Sequence, residues 1–253
     1  MYDDRHNGLC VYRLSDGFSL TYRGIGSLRV RADRITLSPD PAAEQDSIAW
    51  LVSNLGLRLA LVARGAVVFH ASAALVDDVL VSFAGPSGRG KSTLAAACYA
   101  NGHVHHTDDL VPVQTQSSTG KPLVSPGPPS LRTDSDVAST LGLSSSRQPP
   151  EEEPVLIDTS DRHSTVPREI EVLYLIDDAD EVSIDPVPTQ DAVLEILRRS
   201  YALYRDSDAD SASTHFEVCG ELAQSIRVRR LSRPRSLHEL REAVTAIETD
   251  LSS

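Results

Sequence analysis

Apolar residues in the first forty positions fall in short runs, at 10–13, 18–22, 28–30 and 34–37, separated by Gly, Asp and Asn. That spacing predicts a small antiparallel meander. From residue 39 to 64 the period lengthens. Ile48, Leu51, Val52, Leu55, Leu59 and Val62 recur at helical spacing and Gly65 stands as a stop, although Gly56 interrupts the run. Trp50 and the leucines of this stretch read as packing. Two β runs follow, 67–76 and 79–84, joined by Asp77-Asp78, which predicts a hairpin. A helix over 94–100 closes at Asn101-Gly102, and residues 103–113 alternate apolar and polar around two carboxylates.

The last third is regular. Strands are expected over 171–176, 182–187 and 226–231, and helices over 189–203 and 213–224. Ser236-Leu237-His238-Glu239 has the pattern of a capping box opening a final helix. Residues 117–120 read as the tip of a turn. Residues 141–153, with Ser144-Ser145-Ser146, Pro149-Pro150 and Glu151-Glu152-Glu153, read as a lid or a disordered loop, and 205–213 as an acidic link. No internal repeat is visible, and the alternation of strands and helices defines an α/β chain.

The chemistry is concentrated where the hairpin ends. Gly85-Pro86-Ser87-Gly88-Arg89-Gly90-Lys91-Ser92-Thr93 meets the spacing G-x-x-x-x-G-K-S in full, after an apolar strand and before a helix, the setting of a phosphate-binding loop. Glycines let the backbone adopt positive φ and bring N–H groups close to an anion, at a helix N-terminus that favours negative charge. Lys91 would bridge β- and γ-phosphates, the Ser92 hydroxyl would sit on Mg²⁺, and Thr93 would reach the α-phosphate. Gly85, Ser87, Gly88, Arg89, Gly90, Lys91, Ser92 and Thr93 are thus the expected nucleotide contacts, with ATP and Mg²⁺ as cofactors.

Charge narrows the class of partner. The 253 residues carry 24 Lys and Arg against 36 Asp and Glu, a net charge of −12, and Lys91 and Lys121 are the only lysines. An acidic, lysine-poor surface suits a salt-adapted protein and lacks the basic stripe that nucleic acid requires. Three scattered cysteines form neither a disulfide framework nor a zinc spacing. No signal pattern and no apolar run long enough to span a bilayer is read, so the expectation is a cytoplasmic protein away from membranes.

Further residues make the chain resemble a known family. Phe69-His70-Ala71-Ser72-Ala73, with His70 fifteen residues before Gly85, then the loop itself, then Asn101-Gly102-His103 and Asp108-Asp109-Leu110 look like the kinase domain of HPr kinase/phosphorylase. The match is closer to the shorter HPr-kinase-like proteins, some of which resemble kinases acting on peptide natural products. Ser125-Pro126-Gly127-Pro128-Pro129-Ser130-Leu131-Arg132 and Val228-Arg229-Arg230-Leu231-Ser232-Arg233-Pro234-Arg235 extend the similarity over most of residues 65–250. The resemblance implies an HPr-kinase-like P-loop core with a mixed central sheet over 41–253, preceded by a small N-terminal β extension over 1–40. The separate N-terminal domain and the signature segment of the bifunctional enzymes are not evident, so it does not extend to reverse phosphorolysis.

The activity it implies is Mg-dependent transfer of a γ-phosphate to a hydroxyl of a peptide, a protein or a small molecule, with room for a homo-oligomer. It assigns Asp108 as base, Asp109 to the loop or metal beside Ser92, His70 near the acceptor or the γ-phosphate, and Lys91 at the phosphates. Arg132 and Arg162 are candidate substrate contacts. A competing reading remains open. Residues 172–178 form an apolar run ending in Asp177-Asp178, as a Walker B strand does, so Asp177 could hold the metal of a P-loop ATPase or a nucleotide-binding regulator acting on a protein partner. His103, His105 and His106 alternate on a strand without completing a ligand set and read as packed or solvated. The arginines at 227, 229, 230, 233 and 235 serve either a salt-bridged strand edge or a phosphate or acidic-substrate contact.

Overall fold

The computed structural model describes residues 2–4, 8–116, 119–147, 154–201 and 209–253. Residues 117–118 of the expected turn, 148–153 of the expected lid, 202–203 of the expected helix and 205–208 of the acidic link lie outside them, as does residue 204. The chain divides into two compact units, Met1–Val68 with Tyr201–Val218, and Phe69–Ser200 with Cys219–Ser253. The boundary expected near residue 40 coincides with the end of strand Ile35–Pro39, inside the first unit.

In the first unit a meander of five antiparallel strands, Tyr2–Asp4, Leu9–Leu14, Gly17–Tyr22, Gly26–Val30 and Ile35–Pro39, runs in sequence order. Its alternation places Leu20, Leu28 and Val30 on one face, where they bury against Leu51, Leu59 and Ala60. Those partners come from one helical stretch, shorter at its start than the periodicity predicts. Asp40 accepts from the Ala42 and Ala43 amides and holds a turn, so helix begins only at Gln45. The stretch is α-helical over Gln45–Trp50 and Leu57–Ala63, with a π-helical segment, Leu51–Gly56, ending at the glycine that breaks the pattern. Trp50 meets Tyr22 edge-on at 5.9 Å and is otherwise exposed, as is Leu57. The reading that no run is long enough to cross a bilayer is corrected here. Gln45–Ala63, with 19 residues and a mean hydropathy of 1.3, meets the length and apolarity of a span, while Leu51, Leu59 and Ala60 lie in the core of this unit.

The second unit is built on a mixed sheet. Strands Val111–Thr115, Pro122–Val124, Arg168–Asp178, Val79–Ala84, Ala71–Val76 and Val104–Thr107 lie side by side in that order, with Arg227–Arg233 parallel to Arg168–Asp178 and Ser183–Pro186 on its outer edge. The strand leading into the phosphate loop, Val79–Ala84, is central and almost wholly buried. It joins Ala71–Val76 through Asp77-Asp78, both at positive φ (50° and 65°), the two-residue turn whose twist matches a hairpin. Helix Lys91–Ala100 covers the sheet. Its Ala95, Ala96 and Ala97 share one core with Ala243, Val244 and Ile247 of the last helix, Leu240–Leu251. Ser236 caps that end of the chain by accepting from His238 N, one residue short of the capping box. A separate three-stranded sheet, Ser130–Thr133, Val155–Asp158 and Ser145–Arg147, was not expected.

Candidate active site

Sheet register brings the predicted residues together. Ala73 on the hairpin strand lies opposite Thr107, so in an antiparallel pair the residues before Ala73 meet those after Thr107. Ser72 Oγ therefore donates to Asp108 Oδ1 at 2.6 Å, and His70 Nδ1 lies 2.8 Å from Asp109 Oδ1 and 3.2 Å from the Asp109 carbonyl oxygen. On its other edge the hairpin strand pairs Ala71 with Ala84, the last residue before the loop. Loop, His70, Ser72 and the acidic pair consequently share one end of the sheet.

In the loop, Ser87 and Gly88 are exposed at the tip and Gly90 opens the helix at φ 81°, ψ 32°. Leu94 N donates to Gly90 O, the first bond of the helix, and Ser92 and Thr93 follow Lys91 in its first turn. Lys91 is buried, with Nζ donating to the carbonyl oxygens of Gly85 (3.2 Å) and Pro86 (3.1 Å). Burial lowers its pKa, against the opposing pull of Asp108 and Asp109.

Asp108 collects three donors: Ser72 and Ser92 hydroxyls on Oδ1, the latter at 2.9 Å, and the Arg132 backbone N–H on Oδ2 at 3.2 Å. The sequence reading paired Ser92 with Asp109 and left Asp108 as base. In the structure Ser92 donates to Asp108, and Asp109 pairs with His70, because the register sets the two carboxylates against different neighbours. Asp109 has φ 69°, a left-handed backbone rare outside glycine, and its side chain is 46% exposed beside a His70 that is 41% exposed.

Arg132 reaches the site through its amide, with its side chain exposed. Arg162 is at the far end of the loop helix, stacked over Tyr99 at 4.2 Å and donating to Tyr99 O. Asp177 and Asp178 end the strand that runs parallel to the loop strand, but both are held by arginines. Arg230 pairs with Asp177, and Arg89 and Arg235 pair with Asp178, whose carboxyl Arg89 holds below the usual range. The histidine strand is packed: His103 on Glu248, His105 on Thr159 and tilted against the His163 ring at 5.3 Å, His106 on the Val124 carbonyl. Among the described residues no group of three or more His, Cys, Asp and Glu is placed to hold a metal by itself.

Sequence reasoning passed over Ser72 and Gly127 as site residues, and named Arg233 only as one of five arginines at a strand edge or a phosphate or acidic-substrate contact. Ser72 stands inside the quoted Phe69–Ala73 segment, two residues after His70. A Cβ on Gly127 would lie 3.0 Å from Thr107 Cβ and 3.2 Å from its Cα, so this glycine lets the proline-rich loop close on the strand that carries the acidic pair.

No family model matches the chain, and no curated protein matches it. Among solved structures it is similar to the HPr(Ser) kinase/phosphatase from Coxiella burnetii, with 14% identity over 73% of this chain and 88% of that one and a TM-score of 0.38. A likeness that weak says nothing about the site. The fold is mixed α/β around a central mixed sheet.

Proposed function

We propose that this protein transfers the γ-phosphate of a magnesium nucleotide to a hydroxyl, that of a serine in a peptide or protein or of a small alcohol. The observation that carries the reading is the two-sided acidic pair beside the phosphate loop: Asp108 on Ser92, Asp109 on His70.

The donor set suits ATP and Mg²⁺. Ser92 and Asp108 offer hard oxygens 2.9 Å apart, and Mg²⁺ takes only one or two protein carboxylates, leaving the rest of its shell to phosphate and water. When bound, the ion would spread the charge that develops on the phosphoryl group. Lys91, desolvated and lodged on two carbonyl oxygens, is a cation ready for the β- and γ-phosphates. Ser72 and the Arg132 amide fix the Asp108 carboxylate in place beside Ser92, where it can serve the metal. Asp109 is half exposed, oriented by His70, and suited to take the proton of an incoming hydroxyl. This exchanges the roles that the resemblance implies for the two aspartates.

The rival reading, an ATPase or regulator with Asp177 on the metal, is weakened by the Arg230 ion pair that occupies that carboxylate. Transfer of radiolabelled γ-phosphate from ATP to candidate hydroxyl acceptors tests both. Asp109→Asn is expected to lower transfer at least a hundredfold with little change in ATP affinity, general-base loss being worth about 10²–10⁴. Asp177→Asn is expected to leave transfer within a few fold, and the reverse pattern would favour the rival.

A further inference from the structure

The arginines of the last strand and of the segment just after it do not share one fate. Arg229 lies 3.4 Å from Asp250, Arg230 pairs with Asp177 and Arg235 with Asp178, so three of them are held by acids. Arg233 is different. It is 6% exposed, its Nη1 donates to the adjacent Pro234 carbonyl, and among the described residues its Nε has no hydrogen-bond partner. Asp178, the acid opposite it in register, is already shared by Arg89 and Arg235.

Its position gives this buried cation a purpose. Arg233 ends the strand parallel to Arg168–Asp178, and its carbonyl accepts from Ala179 N at 3.0 Å, which pins the backbone at the loop end of the sheet. The guanidinium lies against Gly90, where a Cβ would overlap Nη2. Gly90 is required for its positive φ, and its missing side chain leaves the room that the guanidinium occupies. A cation held there faces the positive end of the loop helix, in a place that removes most of its water. Both effects oppose it until an anion arrives. Burial also draws its pKa below the ordinary guanidinium range, though an arginine stays charged.

We infer that Arg233 is a second fixed cation, with Lys91, for the phosphate chain of the nucleotide, acting at the Gly90 side of the loop. The inference rests on the nucleotide reading above and adds a residue to it.

Isothermal titration with MgATP and MgADP, together with melting in the absence of nucleotide, separates this role from a structural one. Arg233→Gln is expected to weaken MgATP binding ten- to hundredfold, the scale of a lost charged hydrogen bond, and MgADP less. The nucleotide-free melting temperature should stay level or rise, because a buried charge with no acid in direct contact, supported only at a distance by Asp178 and Glu239, is gone. Arg233→Lys should recover part of the affinity. Unchanged MgATP affinity in Arg233→Gln overturns the inference. So does a lower melting temperature in Arg233→Gln with no recovery of affinity in Arg233→Lys, the pattern of a packing residue. If the unsubstituted chain binds neither nucleotide, the reading of the loop fails and this one with it.

Discussion

Asp108 and Asp109 are neighbours in sequence with different surroundings, and the roles proposed for them follow from what touches each. Two hydroxyls and an amide converge on Asp108, while Asp109, forced to φ 69°, faces His70 and solvent. The geometry depends on a residue that carries no functional group. Gly127 N donates to His106 O at 2.9 Å and its bare Cα lies against Thr107, one position before the acidic pair. Gly127→Ala must push that strand or the proline-rich loop aside. It is expected to cost about 1–3 kcal/mol in urea denaturation, as overpacking does, and to lower phosphoryl transfer by more than the loss of folded protein explains. A variant with full stability and activity would show that the contact relaxes freely. At this scale the sequence disclosed the loop residues and the acidic pair, because a motif with fixed spacing needs only local chain. Ser72 escaped it, and Arg233 was not told apart from the four arginines around it, since each acquires its neighbour through strand register across the sheet.

Among the elements, periodicity located the main strands and helices of the second unit to within a few residues, and Asp77-Asp78 foretold the hairpin. It missed the sheet of Ser130–Thr133, Val155–Asp158 and Ser145–Arg147, whose strands are short and partly polar and so leave little alternation to see. It also carried the helix after 189 past its true end. The helix stops at Arg199, and Ser200 forms a β-bridge with Phe69, a long-range pairing that no local pattern encodes. The hairpin that delivers the loop holds two aspartates at positive φ, where glycine suits the second position better. Asp78→Gly is expected to raise stability by about 0.5–1 kcal/mol in urea denaturation, with transfer activity unchanged. A lower midpoint would show that Asp78 makes a compensating interaction.

For the whole molecule, the acidic balance and the buried histidines shape the response to solution conditions. Burial pushes His105 down to about 3, helped by His163 and His106, and His106 down to about 4 against the bond to the Val124 carbonyl. A folded pKa below the unfolded value of about 6.5 means that the neutral imidazole is favoured by folding. Their contribution is complete above that value and is lost as pH falls toward 4 and then 3. The pair should remove about 2–3 kcal/mol of stability per pH unit below pH 6, and a urea midpoint that stays flat from pH 6.5 to 4.5 would contradict it. Asp108, through Ser92, is proposed to make the metal side of a phosphate site. Calorimetric titration of ATP with and without Mg²⁺, in the unsubstituted protein and in Asp108→Asn, tests it most directly. The expected result is at least a tenfold gain in ATP affinity on adding Mg²⁺ to the unsubstituted protein, absent from Asp108→Asn, which still binds metal-free ATP. An intact Mg²⁺ gain in Asp108→Asn would contradict the account.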